Sequence, residues 1–372
     1  MDIGIPKETR AREHRVALTP SGVKALVQDG HRVWVEADAG LAAGHPSGDY
    51  QAAGARIAYS RHEVYTRAEL VCGVFAPEPA EYALLQKGQA ILAFWALPAA
   101  RPEDIRALLS REVTVVGLEA IEDGEGRAPV RTSMSEIAGS LAVIVGGGLL
   151  LNEFGGKGIL LGGVPGVPPA HFVVLGAGVL GRAAARAALG IGAQVTLLDQ
   201  SVEHLRQAVR ELPGPVNTML ATRPNVEKAL GFADLVLGAV ASPGQRAPVL
   251  VTREMLRGMK PRSVVVDLAI DMGGCFETSR PTSFASPTYE VDGILHLCIP
   301  NLPSGAARTA TQALTNATLP YLISLARDGF PQTVGRHPDL GRGIYLYRGR
   351  CVKESLARAF GLEWQPLPGA EE

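Results

Sequence analysis

A chain of 372 residues carrying a formal net charge of −1 is longer than one ordinary hydrophobic core supports and suits two domains. With 47% hydrophobic and 20% charged residues it reads as globular, and the balanced charge leaves neither a basic footprint for nucleic acid nor a solvated acidic tail. The amino terminus, MDIGIPKETR, lacks the apolar core of a signal peptide. The longest apolar stretch, residues 141–151, is interrupted by Gly146, Gly147 and Gly148, so a cytoplasmic protein with no membrane span is expected.

Residues 1–130 alternate short apolar runs with helical stretches. Strands are expected at 2–5, 32–36, 56–59, 70–74, 90–94 and 113–117. Helices are expected at 21–29, 79–86 and 102–110, the last two opening on proline as a helical first turn allows. The alternation predicts a parallel sheet covered by helices, a first doubly wound α/β domain. A long helix follows over 134–152, starting at Ser133 or Ser135, with Glu136 placed for a capping-box contact to Ser133. The Gly/Pro-rich GGKGILLGGVPGVPPA after it reads as a loop.

Residues 171–200, HFVVLGAGVLGRAAARAALGIGAQVTLLDQ, organise the second half of the chain. A buried strand leads into Gly176, Gly178 and Gly181 at G-x-G-x-x-G spacing; a helix opening on Val179 and Leu180 follows, then a second strand that ends on Asp199. The first glycine makes a tight turn, the second lets backbone approach a pyrophosphate, and the third lets helix pack on strand. The helix N-terminus offers its unpaired N–H groups to the diphosphate. Asp199 stands where a carboxylate takes the adenosine ribose hydroxyls, and Gln200 brings no positive charge for a 2′-phosphate, which favours NAD over NADP. The plainer alternative is a parallel-sheet turn with no ligand.

Four further strands, at 217–221, 233–240, 263–269 and 293–298, bring the second domain to six, a complete dinucleotide fold. A long helix over 306–328 carries Pro320 as a kink, and the tail from 335 to 372 is expected to pack back on the first domain. The domains are therefore read as 1–132 plus 305–372, for substrate and catalysis, and 133–304, a Rossmann domain for NAD. Cys72, Cys275, Cys298 and Cys351 are widely spaced, with no C-x-x-C pair, so neither a disulfide framework nor a metal site is expected.

The segments GIPKETRAREHRVALTP (4–20), TSMSEIAG (132–139), LLGGVPGVPPAHFVVLGAGVLG (160–181), VVDLAIDMGGCFETSRPT (265–282) and ALTNATLPY (313–321) resemble the alanine dehydrogenases. More distantly, they are similar to the nucleotide-binding subunit of proton-translocating transhydrogenase. The resemblance spans nearly the whole chain. It implies a hexameric, NAD-dependent enzyme that interconverts an L-amino acid with its 2-oxo acid and ammonia in a cleft between the domains.

Residue by residue, the resemblance assigns Arg15 to the substrate carboxylate, and a planar fork of donors suits that task. The plainer reading is a surface arginine paired with Glu8 or Glu13. Asp271, after a buried strand, matches the family's active-site aspartate; its alternative is a turn cap before Gly273 and Gly274. Asn301 matches the cleft asparagine, Met134 and Leu302 fall at pocket positions, and Ser135, Val240 and Ala269 join Asp271 and Asn301 around the cofactor. His296, in the apolar run ILHLCIP, reads as a core histidine bonded to backbone.

Two positions depart from the family. Its carbonyl-polarising lysine lies in a V-K-E-P stretch, which here reads Val74-Phe75-Ala76-Pro77. Its catalytic histidine lies in Y-L-H-L-A, which here reads Phe94-Trp95-Ala96-Leu97-Pro98. Conversely, Arg131 stands where the family has an apolar pocket residue, pointing either into the site as a substitute cation or out to solvent. Phe75, Trp95 and Ala96 would make the pocket larger and more apolar.

Four readings follow. The first is an NAD-dependent oxidoreductase acting on a carboxylate-bearing amino acid, oxo acid or imine other than alanine and pyruvate. The others are an ordinary L-alanine dehydrogenase, an NAD(H)-binding protein without hydride transfer, and an enzyme that recycles bound NAD within an elimination or cyclisation.

Overall fold

The structure is a computed structural model and describes residues 1–240 and 246–368. By contacts the chain divides into two compact units, residues 1–134 with 304–372, and residues 135–303.

In the first unit, six strands are mutually parallel: β1 (Asp2–Ile5), β2 (Arg32–Glu36), β3 (Arg56–Ala58), β4 (Leu70–Phe75), β5 (Ala90–Phe94) and β6 (Thr114–Gly117). Between them lie α1 (Pro20–Gln28), α2 (Ser47–Ala52), α3 (Arg61–Arg67) and α4 (Pro102–Ser110). Local chemistry starts these helices: Thr19 accepts from the Gly22 amide ahead of Pro20, and Ser60 from the Glu63 amide. The stretch expected as a helix at 79–86 is instead a 3-10 turn, Pro79–Leu84, held by a reciprocal Glu78/Glu81 capping box. With Pro77 and Pro79 removing donors at its start and Gly88 following shortly after its end, the stretch is too short for a stable α-helix.

The next helix, α5 (Pro129–Leu149), starts four residues earlier than Ser133. Pro129 opens it, and the Ser133 hydroxyl donates back to the Val130 carbonyl rather than capping. At 21 residues and a mean hydropathy of 1.2, α5 is long and apolar enough to cross a membrane by length and composition only, a test that buried core helices also pass; 39% of that stretch is buried.

The second unit carries β7 (His171–Leu175), β8 (Gln194–Asp199), β9 (Asn217–Leu220), β10 (Leu235–Gly238), β11 (Val264–Asp267), β12 (Thr288–Val291) and β13 (Ile294–Leu297). Its helices include α6 (Val179–Ile191), α7 (Val202–Glu211), α8 (Arg223–Phe232) and α9 (Arg253–Leu256). The strand order β12-β13-β11-β10-β7-β8-β9 contains the doubly wound dinucleotide order, with the topological switch between β7 and β10. The sheet is covered on both faces. Along β7, Phe172 and Val174 enter one apolar cluster while Val173 and Leu175 enter the other. β12 is a seventh strand beyond the six expected, antiparallel to β13.

The tail returns to the first sheet. After α10 (Ala307–Asp328), which continues through Pro320, β14 (Ile344–Tyr347) pairs antiparallel with β6, and β15 (Arg350–Cys351) pairs with β14. The first sheet therefore has eight strands in the order β15-β14-β6-β5-β4-β1-β2-β3. The four cysteines are free and buried.

Candidate functional site

In the second unit the glycine turn has the shape the spacing predicts. Gly176 has φ +110°, and a Cβ there would lie 2.5 Å from the Ala239 carbonyl. A Cβ on Gly181 would lie 1.9 Å from the Gly176 carbonyl, so only glycine lets α6 close on β7. Gly178 is the N-cap of α6, has no side-chain cap and would point a Cβ into open space. Val179 and Leu180, half-buried, form the first turn. Asp199, buried at the end of β8, accepts from the Ala177 amide at 2.7 Å and the Ser201 amide at 2.7 Å, with His204 Nδ1 at 3.3 Å. An uncapped helix start, open space above its glycine and a carboxylate tied to the same turn fit a dinucleotide. When bound, that group would be held by the 176–181 backbone and by Asp199, and would supply two-electron hydride chemistry.

The other second-unit positions surround the C-terminal ends of β10, β11 and β13. Val240 follows β10 and is half-buried; Ala269 is buried. Asp271 is exposed in a 3-10 turn, Ile270–Met272, just ahead of Gly273 and Gly274, both at positive φ. The turn that leads to Asp271 is held by Asp267. Fully buried, Asp267 accepts from the amides of Ala269 (2.9 Å) and Cys275 (2.8 Å) and from the Ser279 hydroxyl (2.6 Å). Its signal was present as the acid closing a Val-Val-Val strand. Asn301 has φ +56°; Leu302 is buried in the unit's core, and Ser135 is half-buried on α5. His296 is a core histidine, bonded to the Ile294 carbonyl at 3.0 Å and to Thr278 at 2.8 Å.

In the first unit the structure brings Arg15, Phe75 and Met134 together. Arg15 is 3% exposed, so it is not a surface residue. Its Nε and Nη2 fork onto Glu13 at 2.8 and 2.9 Å, while Nη1 reaches the Met134 sulfur at 3.3 Å. The Phe75 ring lies under the Arg15 guanidinium, 5.4 Å from its centroid, and under Arg10, at 4.0 Å. The sequence reading missed a carboxylate here. Glu8 Oε1 accepts from the amides of Val74 (2.7 Å) and Phe75 (3.3 Å), and burial pushes its pKa up to about 7 against the pull of those amides.

A second missed carboxylate serves the next strand. Glu119 accepts from the amides of Trp95 (3.1 Å) and Ala96 (3.0 Å) and from the Tyr345 hydroxyl (3.1 Å), and burial raises its pKa. It holds the chain where Ala96 turns through φ +49°. Trp95 is buried in the apolar cluster of this unit, with its indole N–H unpartnered among the described residues. The signal for both glutamates is positional: they serve C-terminal ends of adjacent parallel strands, where open α/β sheets place ligand groups. Arg131 pairs with Glu122 at 2.9 Å and its side chain is 42% exposed.

Comparison with known proteins agrees with this architecture. The model of the "Alanine dehydrogenase/PNT, N-terminal domain" matches residues 4–138 and that of the "Alanine dehydrogenase/PNT, C-terminal domain" matches 142–354. The alanine dehydrogenase of Halomonas elongata is 45% identical over 364 residues, covering 98% of each chain. Among solved structures, an L-alanine dehydrogenase superposes with a TM-score of 0.92 at 42% identity, covering 97% of this chain and 99% of that one. A transhydrogenase from Sinorhizobium meliloti superposes with a TM-score of 0.81 at 27% identity, covering 95% and 100%. Matched in both halves and along nearly its whole length, this chain belongs to the alanine dehydrogenase/PNT family of oxidoreductases.

Proposed function

We propose that this protein is an NAD-dependent dehydrogenase of an amino acid and its 2-oxo acid or imine, with a pocket altered away from alanine and pyruvate. The observation that carries the reading is Phe75, whose ring fills the space under Arg10 and Arg15 at the position where the family has a lysine. Arg15, a planar fork whose Nη1 contacts the Met134 thioether, is the group we assign to the substrate carboxylate. Arg131, held by Glu122, is the less suitable cation. Asp271 and Asn301 follow the strands on the cofactor side and are the groups we assign to orienting ammonia or water there. The overall identity to alanine dehydrogenases supports the rival reading, an ordinary alanine enzyme.

A panel separates the two. Glyoxylate, pyruvate, 2-oxobutyrate and phenylpyruvate are each supplied with ammonium and NADH, and the matching amino acids with NAD. The altered-pocket reading expects one of the other oxo acids to outrun pyruvate in kcat/KM; efficient use of pyruvate refutes it. The double variant Phe75→Lys/Ala96→His is expected to raise alanine oxidation by about 10²-fold or more, since a general acid/base contributes that much. No gain in alanine turnover would remove the two substitutions as the cause.

We also infer a homo-oligomer, by resemblance a hexamer. Supporting it, Ile144 on α5 is 64% exposed, and Phe154, Leu160, Val164 and Val167 in the following loop are exposed as well. Ile144→Glu with Val167→Glu is expected to lower the mass seen by light scattering without lowering helix content; an unchanged mass places the contact elsewhere.

A further inference from the structure

Three carboxylates stand near the Phe75 and Ala96 turns, and they are not equivalent. Glu13 is committed to the Arg15 fork, and Glu119 is closed in by two amides and a tyrosine hydroxyl. Glu8 is different. It follows β1 by three residues, at the same strand edge as Phe75, and has no ion pair within 4.0 Å among the described residues. Its Oε1 takes the amides of Val74 and Phe75, but Oε2 has only a long contact, 3.4 Å, to the Phe75 amide. The residue as a whole is half-buried, and its carboxyl is largely enclosed.

We propose that Glu8 is the proton-transferring group of this site, standing in for the lysine and histidine that Phe75 and Ala96 replace. The inference rests on the dehydrogenase reading above. In the oxidative direction an N–H bond of the substrate ammonium breaks as an O–H bond forms on the Glu8 carboxylate. The nitrogen lone pair then forms the C=N bond while the Cα–H electron pair leaves as hydride to a bound nicotinamide dinucleotide, the oxidant. The proton on Glu8 passes to water, and in the reductive direction each transfer reverses.

The surroundings suit that duty. Glu13, on the same segment, disfavours a negative charge on Glu8, and Arg61 at the start of α3 favours it but is spent on Glu36 and Glu81. Tyr65 of α3 and Cys72 of β4 complete the titratable neighbours, with Arg10 lying over the Phe75 ring. A carboxyl that titrates close to pH 7 can both take and give a proton under working conditions.

The test uses the oxo-acid panel above with ammonium and NADH. For the fastest member, wild-type kcat is expected to fall as pH rises through about 7. Glu8→Gln is expected to lower kcat by about 10²–10⁴-fold and abolish that limb, with NADH affinity by fluorescence titration unchanged. Phe75→Lys sets an ammonium beside Glu8 and should move the limb to lower pH, a response that a purely structural glutamate does not give. Independently of turnover, the wild-type-minus-Glu8→Gln infrared difference spectrum in mildly acidic buffer should show the band of one neutral carboxyl.

Full kcat with an unshifted limb in Glu8→Gln overturns the assignment and leaves the dehydrogenase reading standing. Absence of a neutral-carboxyl band from that difference spectrum overturns it as well. Saturable NADH binding without turnover of any panel member overturns the dehydrogenase reading, and the role of Glu8 falls with it.

Discussion

Asp267→Ala is expected to destabilise the second unit by about 3–5 kcal/mol, because a fully buried carboxylate that accepts several hydrogen bonds is removed while its donors stay buried. The amides of Ala269 and Cys275 and the hydroxyl of Ser279 all lose their acceptor at once. For a unit of this size the loss corresponds to a fall in Tm of roughly 10–15 °C, readable by calorimetry. Asp267→Asn should fall between, since its amide keeps one acceptor but turns two donors toward groups that are themselves donors. A drop below about 1 kcal/mol for the alanine variant would mean that the turn relaxes and lets water reach those amides.

Gly181→Ala and Gly178→Ala are expected to part company. At Gly181 the new methyl meets the Gly176 carbonyl at 1.9 Å, so α6 must move off β7, and both Tm and NADH affinity fall, the affinity by at least about tenfold. At Gly178 nothing lies within 4 Å and φ is −68°, so alanine fits the folded chain. Its methyl stands where a diphosphate must approach, and affinity falls with Tm unchanged. Equal affinities for Gly178→Ala and wild type in an NADH fluorescence titration would refute the assignment of this turn to the cofactor.

What the sequence discloses is what is local. The 171–200 fingerprint packs strand, turn, helix and acid into one stretch, and β7, α6 and β8 form where it says. Two hairpins went unread although their turns are local too. Asp292-Gly293 joins β12 to β13, and Arg348-Gly349 joins β14 to β15, each with positive φ at both residues. Asp-Gly is a recognisable signal; Arg-Gly is not, because arginine pays a steric cost there that only the paired strands offset. The start of α5 was misplaced because Ser133 and Glu136 imitate a capping box inside the helix. At the site, Phe75 and Ala96 were legible as departures, but Glu8 and Glu119 were not. Their significance lies in which amides they hold, and strands 66 and 23 residues away supply those amides.

The pairing of β14 with β6 sets an order on biosynthesis. The second unit is one uninterrupted run of chain and can collapse as soon as it leaves the ribosome. The first unit has to wait, its open sheet edge exposed at β6, until Ile344–Tyr347 emerges and the Gly117 amide finds the Gly343 carbonyl. A ribosome that stops after residue 303 but before β14 therefore releases a product with a finished second unit and an unfinished first one, a species marked for chaperones and proteases by its own unpaired strand.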